Sequence, residues 1–471
     1  MEKKLKYLIE NLKNVLNINE INTIAKKSKF VQRQSNINAK DFILFNTFYG
    51  EEVCKVSLSQ LASKYDAIFN VAVSKQAVNK RFNKYAVEFM KEIFNQLMFS
   101  QNSILNNLKN TLYFHRIIIN DSTGFNLPKE FADEFFGSGG SASPSAIKIQ
   151  LQYELLSGMF MKADIFSGTK NDVTYLDVME TDSRPKDLKL ADLGYHKIDY
   201  LKKIDANGAS YISKVKSSFS LYSKNKNPEL NLNGEIKKKT EYIKIDILEL
   251  MKPLAEGETI ELKDIYIGSK KELKNRLIIT KLTEENKRRR ELIHKENIRK
   301  KKRVLTQERF DFNAINAYIT NVNDKILSKD EIHDIYTLRW QIEIMFKIWK
   351  SIFKINQVKK VKIERFKCFL YGRLIALLLS SSIVFTAKNI ILEETNQEIS
   401  EIKSFGSIFQ YLPKLATIIL KTEIYLLQFL KKITLNFKRF CLKTNKKQKK
   451  SVNDILKILK IELIQSDKIA S

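Results

Sequence analysis

Apolar residues recur at three- and four-residue steps through YTLRWQIEIMFKIWK, Tyr336 to Lys350, a stretch without Gly or Pro that predicts one helix. At about 100° per residue, Leu338, Ile342, Met345, Trp349 and Phe353 share a broad arc suited to a core. Arg339, Glu343 and Lys350 fall on a polar ridge roughly 60° wide, with Tyr336 at its start. That edge is roughly 21 Å long, enough to follow several phosphates of a nucleic-acid strand. The same residues fit a surface helix with ordinary i,i+4 charge pairs.

Upstream, residues 1 to about 110 carry helical periodicity, with Gly50 as the main break. Ser57 and Ser74 stand at N-cap positions of two short helices. The second carries Lys75, Gln76, Asn79, Lys80 and Arg81, and the pair resembles a helix-turn-helix able to enter a major groove. Their connection, DAIFNVAV, is longer than the usual turn, and a plain helical bundle with a basic face fits the same pattern.

At Leu112 the period changes. YFHRIIINDST reads as a strand ending in Asp121, followed by a loop holding Pro128, GSGG at 137–140 and Pro144. The Gly-rich patch lacks the Lys-Ser/Thr of a phosphate-binding loop and is read as a flexible turn. AIKIQLQYELLSG and MFMKADIFSG alternate about a Gly turn, predicting an antiparallel hairpin. Next come a helix in TYLDVMETD, a short strand ending at Asp192, a turn at Gly194, a helix, and a strand in ASYISKVKSS.

Residues 216 to about 310 are turn-rich, and alternation in EYIKIDI, KDIYIGS and RLIIT predicts a mostly β segment. EENKRRRELIHKENIRKKKR is a basic helical run, either a solvated helix or a phosphate-binding surface. FNAINAYITNVND predicts a returning strand. After about 390 the pattern is helical again and broken at Pro413. It ends in the basic linker KTNKKQKKS and the amphipathic VNDILKILKIELIQ, which packs in cis or on a second subunit.

Composition narrows the class. With 471 residues and 44% hydrophobic residues, the chain can build two to four domains with real cores. Lys and Arg number 82 against 53 Asp and Glu, and a net charge of +29 points to a polyanionic partner. Cys54, Cys368 and Cys441 are far apart, consistent with a reducing cytosol and giving no zinc site. The four histidines form no H-x-H or H-x-x-x-H pair. The charged N-terminus lacks a signal-peptide core, and the apolar run Leu374 to Thr386, about 13 residues, is short for a membrane span. The expectation is a cytoplasmic, soluble protein without a membrane partner.

The spacing Y-x2-R-x3-E-x6-K, with NDST at 120–123, the Leu-Pro of 127–128 with the later GSGG, and ADLGY at 191–195, resembles bacterial insertion-sequence transposases of the insertion-sequence-four type. The resemblance spans roughly residues 55 to 380 and implies a ribonuclease-H-like α/β core interrupted by a mostly β insertion. Its parts would be a helical DNA-binding region at 1–110, core at 111–215 and 311–390, insertion with basic helix at 216–310, and a C-terminal helical region at 391–471. It implies a catalytic and metal-binding triad of Asp121, Asp192 and Glu343. Tyr336, Arg339 and Lys350 would hold the DNA strand, and Lys75, Gln76, Asn79 and Arg81 would make N-terminal DNA contacts. Glu154, Asp199 and Asp205 are neighbouring acids that fit solvated faces.

An all-carboxylate set suits two Mg²⁺ ions, or Mn²⁺, about 4 Å apart. The family further implies cut-and-paste DNA transposition by a homodimer acting on terminal inverted repeats and target DNA, often through a hairpin at the element end. In such members a Trp of the insertion stacks a flipped base. Here both tryptophans, Trp340 and Trp349, lie in the signature stretch, leaving Tyr242 and Tyr266 as weak substitutes. A tyrosine recombinase is excluded, because no H-x-x-R element occurs. A domesticated DNA-binding protein and a metal-dependent nuclease without strand transfer are the alternatives.

Overall fold

A computed structural model of the chain describes residues 1–105, 112–139, 143–178, 182–195, 197–215, 219–301, 307–444 and 450–461. The chain opens with α1 (Glu2–Val15), α2 (Ile18–Lys27), α3 (Ala39–Phe48), α4 (Leu58–Phe69), α5 (Lys75–Arg81) and α6 (Lys84–Leu105). Strands β1 (Arg116–Asn126), β2 (Ala146–Glu154) and β3 (Met159–Ser167) follow, then α7 (Asp172–Val178), β4 (Asp187–Ala191), α8 (Ile198–Ala206) and β5 (Ser210–Lys214). Next are β6 (Leu221–Lys224), β7 (Tyr242–Lys244), α9 (Ile247–Met251), β8 (Thr259–Ile267), β9 (Leu273–Lys281), α10 (Glu284–Lys301), α11 (Gln307–Asp311) and β10 (Ile315–Thr320). The last helices are α12 (Ile332–Thr337), α13 (Trp340–Ser351), α14 (Ile363–Thr395), α15 (Glu401–Ile418), α16 (Glu423–Phe440) and α17 (Val452–Lys457).

Two compact units divide these elements. One comprises Met1–Lys109, Asp121–Lys170 and Gln341–Lys449; the other comprises Asn110–Asn120, Asn171–Trp340 and Lys450–Ser471. The architecture is mixed α/β, with a large mixed sheet and many helices.

In the first unit, α14 is the central helix, packed by α1, α3, α6, α15 and α16. It is long and apolar enough to cross a membrane, yet 94% of its most apolar window is buried within the protein, as expected for a core helix. Ser57 closes a capping box with Gln60, and the Ser74 Oγ accepts the Ala77 N–H at 3.1 Å, so both predicted N-caps form. The connection is shorter than expected. α4 continues to Phe69 and stops at left-handed Asn70, leaving residues 70–74 as the link to α5. Pro413 does not break its helix: α15 runs through it, because the buried face of Phe405, Ile408, Leu412 and Leu415 outweighs the lost N–H. β2 and β3 form the expected antiparallel hairpin, turning at Gly158 with φ +71°.

In the second unit, Arg116–Asn120 of β1 pair in parallel with β4, and β4 pairs in parallel with β5. β10 then runs antiparallel to β5, and β9, β8, β6 and β7 continue outward, all antiparallel. The strands of residues 216–310 therefore extend the sheet from β10 instead of building a sheet of their own. The EYIKIDI alternation yields strand only over Tyr242–Lys244, because the Asp246 carboxylate accepts the N–H groups of Leu248 and Glu249 and starts α9.

The signature stretch is not one helix. α12 stops at Thr337 and α13 starts at Trp340, with Leu338 and Arg339 in a tight turn whose N–H groups reach back three residues to Ile335 and Tyr336. The apolar arc holds even so: Leu338, Ile342, Met345, Trp349 and Phe353 are all buried. Gly140, residues 179–181 of TYLDVMETD, the end of the basic run, most of the KTNKKQKKS linker and the end of the final amphipathic stretch lie outside the described residues.

Candidate active site

The second unit holds Asp192 directly after the last residue of β4. The preceding carbonyl, of Ala191, accepts the Tyr336 hydroxyl at 3.3 Å. Tyr336 is only 3% exposed, which corrects the expectation that it touches DNA: its ring is packed inside, and its hydroxyl fixes the end of β4. Its ring lies 5.0 Å from that of Tyr318, whose hydroxyl meets His333 Nδ1 at 2.7 Å. Burial raises the Tyr336 phenol above its ordinary value, with the Asp192 charge adding and Arg339 opposing.

Cations surround this corner. Lys214, at the end of β5, sits with its ammonium 5.6 Å from the Tyr336 ring centre. Burial pushes Lys214 below its usual value, helped by Arg290 and Arg339 and opposed by Asp192. Arg290 reaches in from α10 and donates to the Ile315 carbonyl at 2.8 Å and to Asn316 Oδ1 at 2.6 Å. Arg339 is buried, with its guanidinium 5.5 Å from the ring of exposed Trp340. Lys214, Arg290, Tyr318 and His333 were not singled out from sequence. Lys214 had a usable signal, since it ends the strand that follows the Asp192 strand and helix.

The first unit holds Asp121 and Glu343. Asp121 lies inside β1 and not at its end, because the strand continues to Asn126. Its pairing with β4 nevertheless stops at Asn120, one residue earlier. The Asp121 carboxylate accepts the Ser122 N–H at 2.8 Å. Glu343 is half-buried in the first turn of α13, where a carboxylate is favoured by the helix dipole. Lys350, two turns on, donates to the Gly124 carbonyl of β1 at 2.9 Å, and burial lowers its pKa.

Of the N-terminal contacts, Lys75, Gln76 and Asn79 are exposed on α5. Arg81 is not available in the same way. It stacks 3.6 Å over Phe30 and donates to the Phe30 carbonyl at 3.0 Å, and burial pushes it down to about 10. Glu154 departs from the solvated face expected of it: it is buried and caps the β2–β3 turn, accepting from Leu156, Ser157 N–H and Ser157 Oγ. Asp199 and Asp205 are exposed as expected. Tyr242 and Tyr266 pair edge-to-face at 5.1 Å in the β6–β9 region, beside Lys271.

Asp121, Asp192 and Glu343 offer only carboxylate oxygens, the donor type suited to Mg²⁺ or Mn²⁺. Two belong to the first unit and one to the second. Among the described residues, no group of three or more His, Cys, Asp or Glu side chains is assembled to hold a metal ion.

Residues 112–379 match the family model described as a transposase DDE domain. The chain is 62% identical over 472 residues to the transposase for insertion sequence element IS1151 of Clostridium perfringens, covering all of both chains. It is 36% identical to the transposase for IS231E of Bacillus thuringiensis subsp. finitimus, over 99% of this chain and 98% of that one. The transposase for IS231C of B. thuringiensis subsp. berliner is likewise 36% identical, over 98% of this chain and 96% of that one. A solved structure, a piggyBac transposase synaptic complex with hairpin DNA, overlaps 95% of this chain and 87% of its own at 9% identity and a TM-score of 0.47. A DDE domain works through divalent metal ions, and its substrate is DNA. With relatives this similar along their whole length, the chain belongs to the DDE transposases of bacterial insertion sequences, and it is a DNA transposase.

Proposed function

We propose that this transposase cuts the ends of its insertion sequence and joins them to target DNA in a cut-and-paste reaction, using Asp121, Asp192 and Glu343. The observation that carries this reading is the register of β1 and β4. Their last pair is Asn120 with Ala191, so each aspartate is the next residue after the last pair of the β1–β4 ladder. In the second unit β1, β4 and β5 are parallel, and in the first β2 and β3 form an antiparallel hairpin; both support a ribonuclease-H-like core over 111–215 and 311–390. Residues 216–310 are then the insertion, 1–110 the DNA-binding region and 391–471 the C-terminal helical region.

Asp121 and Asp192 would share two bound Mg²⁺ ions, with Glu343 on the second. When bound, the ions supply a polarised water and charge stabilisation at the leaving 3′-oxygen. The carboxylates orient the nucleophile in line with the scissile phosphorus. Water attacks, the P–O3′ bond breaks, and the 3′-oxygen leaves as a hydroxyl. That hydroxyl then attacks a target phosphodiester, forming a new P–O3′ bond as the target's own P–O3′ bond breaks and its 3′-oxygen leaves as a hydroxyl, so no covalent protein intermediate is needed. Arg339 and Lys350 neutralise phosphates beside the reacting bond. Tyr336, buried, holds Ala191 and thereby aims Asp192. Lys75, Gln76 and Asn79 contact end DNA from α5. A homodimer in the cytoplasm fits the need to cut two ends in concert.

The test is cleavage of a plasmid carrying the gene with its native flanks, by purified protein with Mg²⁺ or Mn²⁺, beside Asp192→Asn and Glu343→Gln. Cuts at two inverted repeats that vanish in both variants are the expected result. Binding without cleavage in every protein would identify a domesticated binder, and cutting without joining would identify a nuclease. Cleavage that survives Glu343→Gln would remove Glu343 from the site.

A further inference from the structure

The chain belongs to the first unit up to Lys449 and to the second from Lys450 onward, and residues 450–461 are built as an anchor. Ser451 opens α17 with a capping box closed by Asp454, and Ile455 and Leu459, one turn apart, are 6% and 0% exposed. Each end of this segment meets an element distant in sequence. Lys450 Nζ reaches Asp334 Oδ2 of α12 at 2.6 Å, and α17 packs on α12. Past α17, the Leu459 carbonyl accepts the Tyr113 N–H at 2.7 Å, and Lys460 bridges to Leu112 in antiparallel sense, on the chain entering β1. α12 has only six residues, too few to hold its place through its own hydrogen bonds, so its packing partners β5, β10 and α17 set its position. It carries Tyr336, whose hydroxyl holds the Ala191 carbonyl beside Asp192.

We propose that residues 450–461 are a positioning strap for end cleavage: they tie α12 to the chain entering β1 and so keep Tyr336 on the Ala191 carbonyl, a role that rests on Asp192 being a catalytic acid. Leu459 is the anchor and Lys450 the guide. A DNA contact is the competing use of so basic a tail, but its lysines are engaged. Lys450 pairs with Asp334, Lys457 pairs with Asp454 at 3.0 Å, and Lys460 gives its backbone to the bridge with Leu112. Ile455 and Leu459 turn inward, as a brace requires and a phosphate-binding surface does not. Leu459 and Lys450 act on cleavage through Tyr336, as positioning residues that do not touch DNA.

The test uses the full chain on a duplex containing the inverted repeats that flank this gene. Single-turnover cleavage in Mg²⁺, a binding titration and a thermal melt are measured for each variant, with cleavage read below every midpoint. Leu459→Ala is expected to slow cleavage several-fold, by no more than Tyr336→Phe does, at unchanged DNA affinity. In a Tyr336→Phe chain the same substitution is expected to add little, because both changes release the same carbonyl. Lys450→Glu is expected to slow cleavage and Asp334→Lys in the same chain to restore it, which keeps the strap testable if Leu459→Ala does not fold. Equal slowing by Leu459→Ala with and without Tyr336→Phe would make the segment plain structural support and overturn the proposal. An affinity loss that accounts for the whole effect would assign the tail to DNA and overturn it equally. Cleavage lost in Asp192→Asn but unchanged in Leu459→Ala would overturn the strap alone. Cleavage surviving in Asp192→Asn would overturn the site assignment and the strap with it.

Discussion

Asn120 and Ala191 are the last partners in the parallel pairing of β1 with β4, and a tyrosine hydroxyl pins each of them. The Asn120 amide donates to Tyr200 Oη of α8 at 2.9 Å, and the Ala191 carbonyl accepts Tyr336 Oη of α12 at 3.3 Å. Both residues of the last β1–β4 pair, which lead into the proposed aspartates, are thus held by buried helix side chains.

Tyr336→Phe should remove only the bond to Ala191. The expected loss of stability is about 1 kcal/mol, with the fold intact and end cleavage slowed several-fold at unchanged DNA affinity. If Tyr336 instead bound DNA, affinity would fall and cleavage at saturation would hold. Single-turnover cleavage with a parallel binding titration separates these outcomes.

At the opposite end of the same pairing, Arg116 holds buried Asp187 through Nε at 2.7 Å and a second bond at 2.5 Å. Asp187→Asn should cost roughly 3–5 kcal/mol, because Arg116 would remain charged and buried. Urea unfolding should show a lower midpoint.

Lys189 is buried beside that pair, and desolvation pushes its pKa down to about 8, with Asp187 opposing and Arg116 helping. The unfolded chain, with an ordinary lysine near 10.4, binds more protons between these values, so this group makes stability rise as pH climbs from about 8 to about 10.4. Below pH 8 its destabilising effect is complete, on the order of 3 kcal/mol. Lys189→Met should therefore stabilise the protein at pH 7 and lose that advantage near pH 10.5, as read by urea midpoints across pH.

Gly372 of α14 lies against α3, where a Cβ would overlap the Asn46 carbonyl oxygen. A backbone atom cannot turn aside as a side chain can. Gly372→Ala should destabilise by about 1–3 kcal/mol, measurable as a lowered thermal midpoint.

Arg81 and Lys75 share α5 but should fail differently. Arg81→Ala should lower the thermal midpoint through loss of the Phe30 stack and carbonyl bond. Lys75→Ala should leave the midpoint alone and weaken end binding with a shallower salt dependence. Thermal melts and filter binding of both variants check this.

Sequence by itself determined the family, the three acids proposed for the site, the β2–β3 hairpin, the serine caps of α4 and α5 and the buried arc of Leu338, Ile342, Met345, Trp349 and Phe353. These are legible because periodicity, capping and motif spacing act within a few residues of one another. Only the tertiary structure decided that Leu338–Arg339 is a turn, that α15 passes through Pro413, that Tyr336, Arg81 and Glu154 are internal, and that β6–β9 extend from β10. In each case partners distant in sequence, such as Ala191 for Tyr336 and Phe30 for Arg81, supply the contacts that overrule the local pattern. Those contacts exist only once the chain has folded.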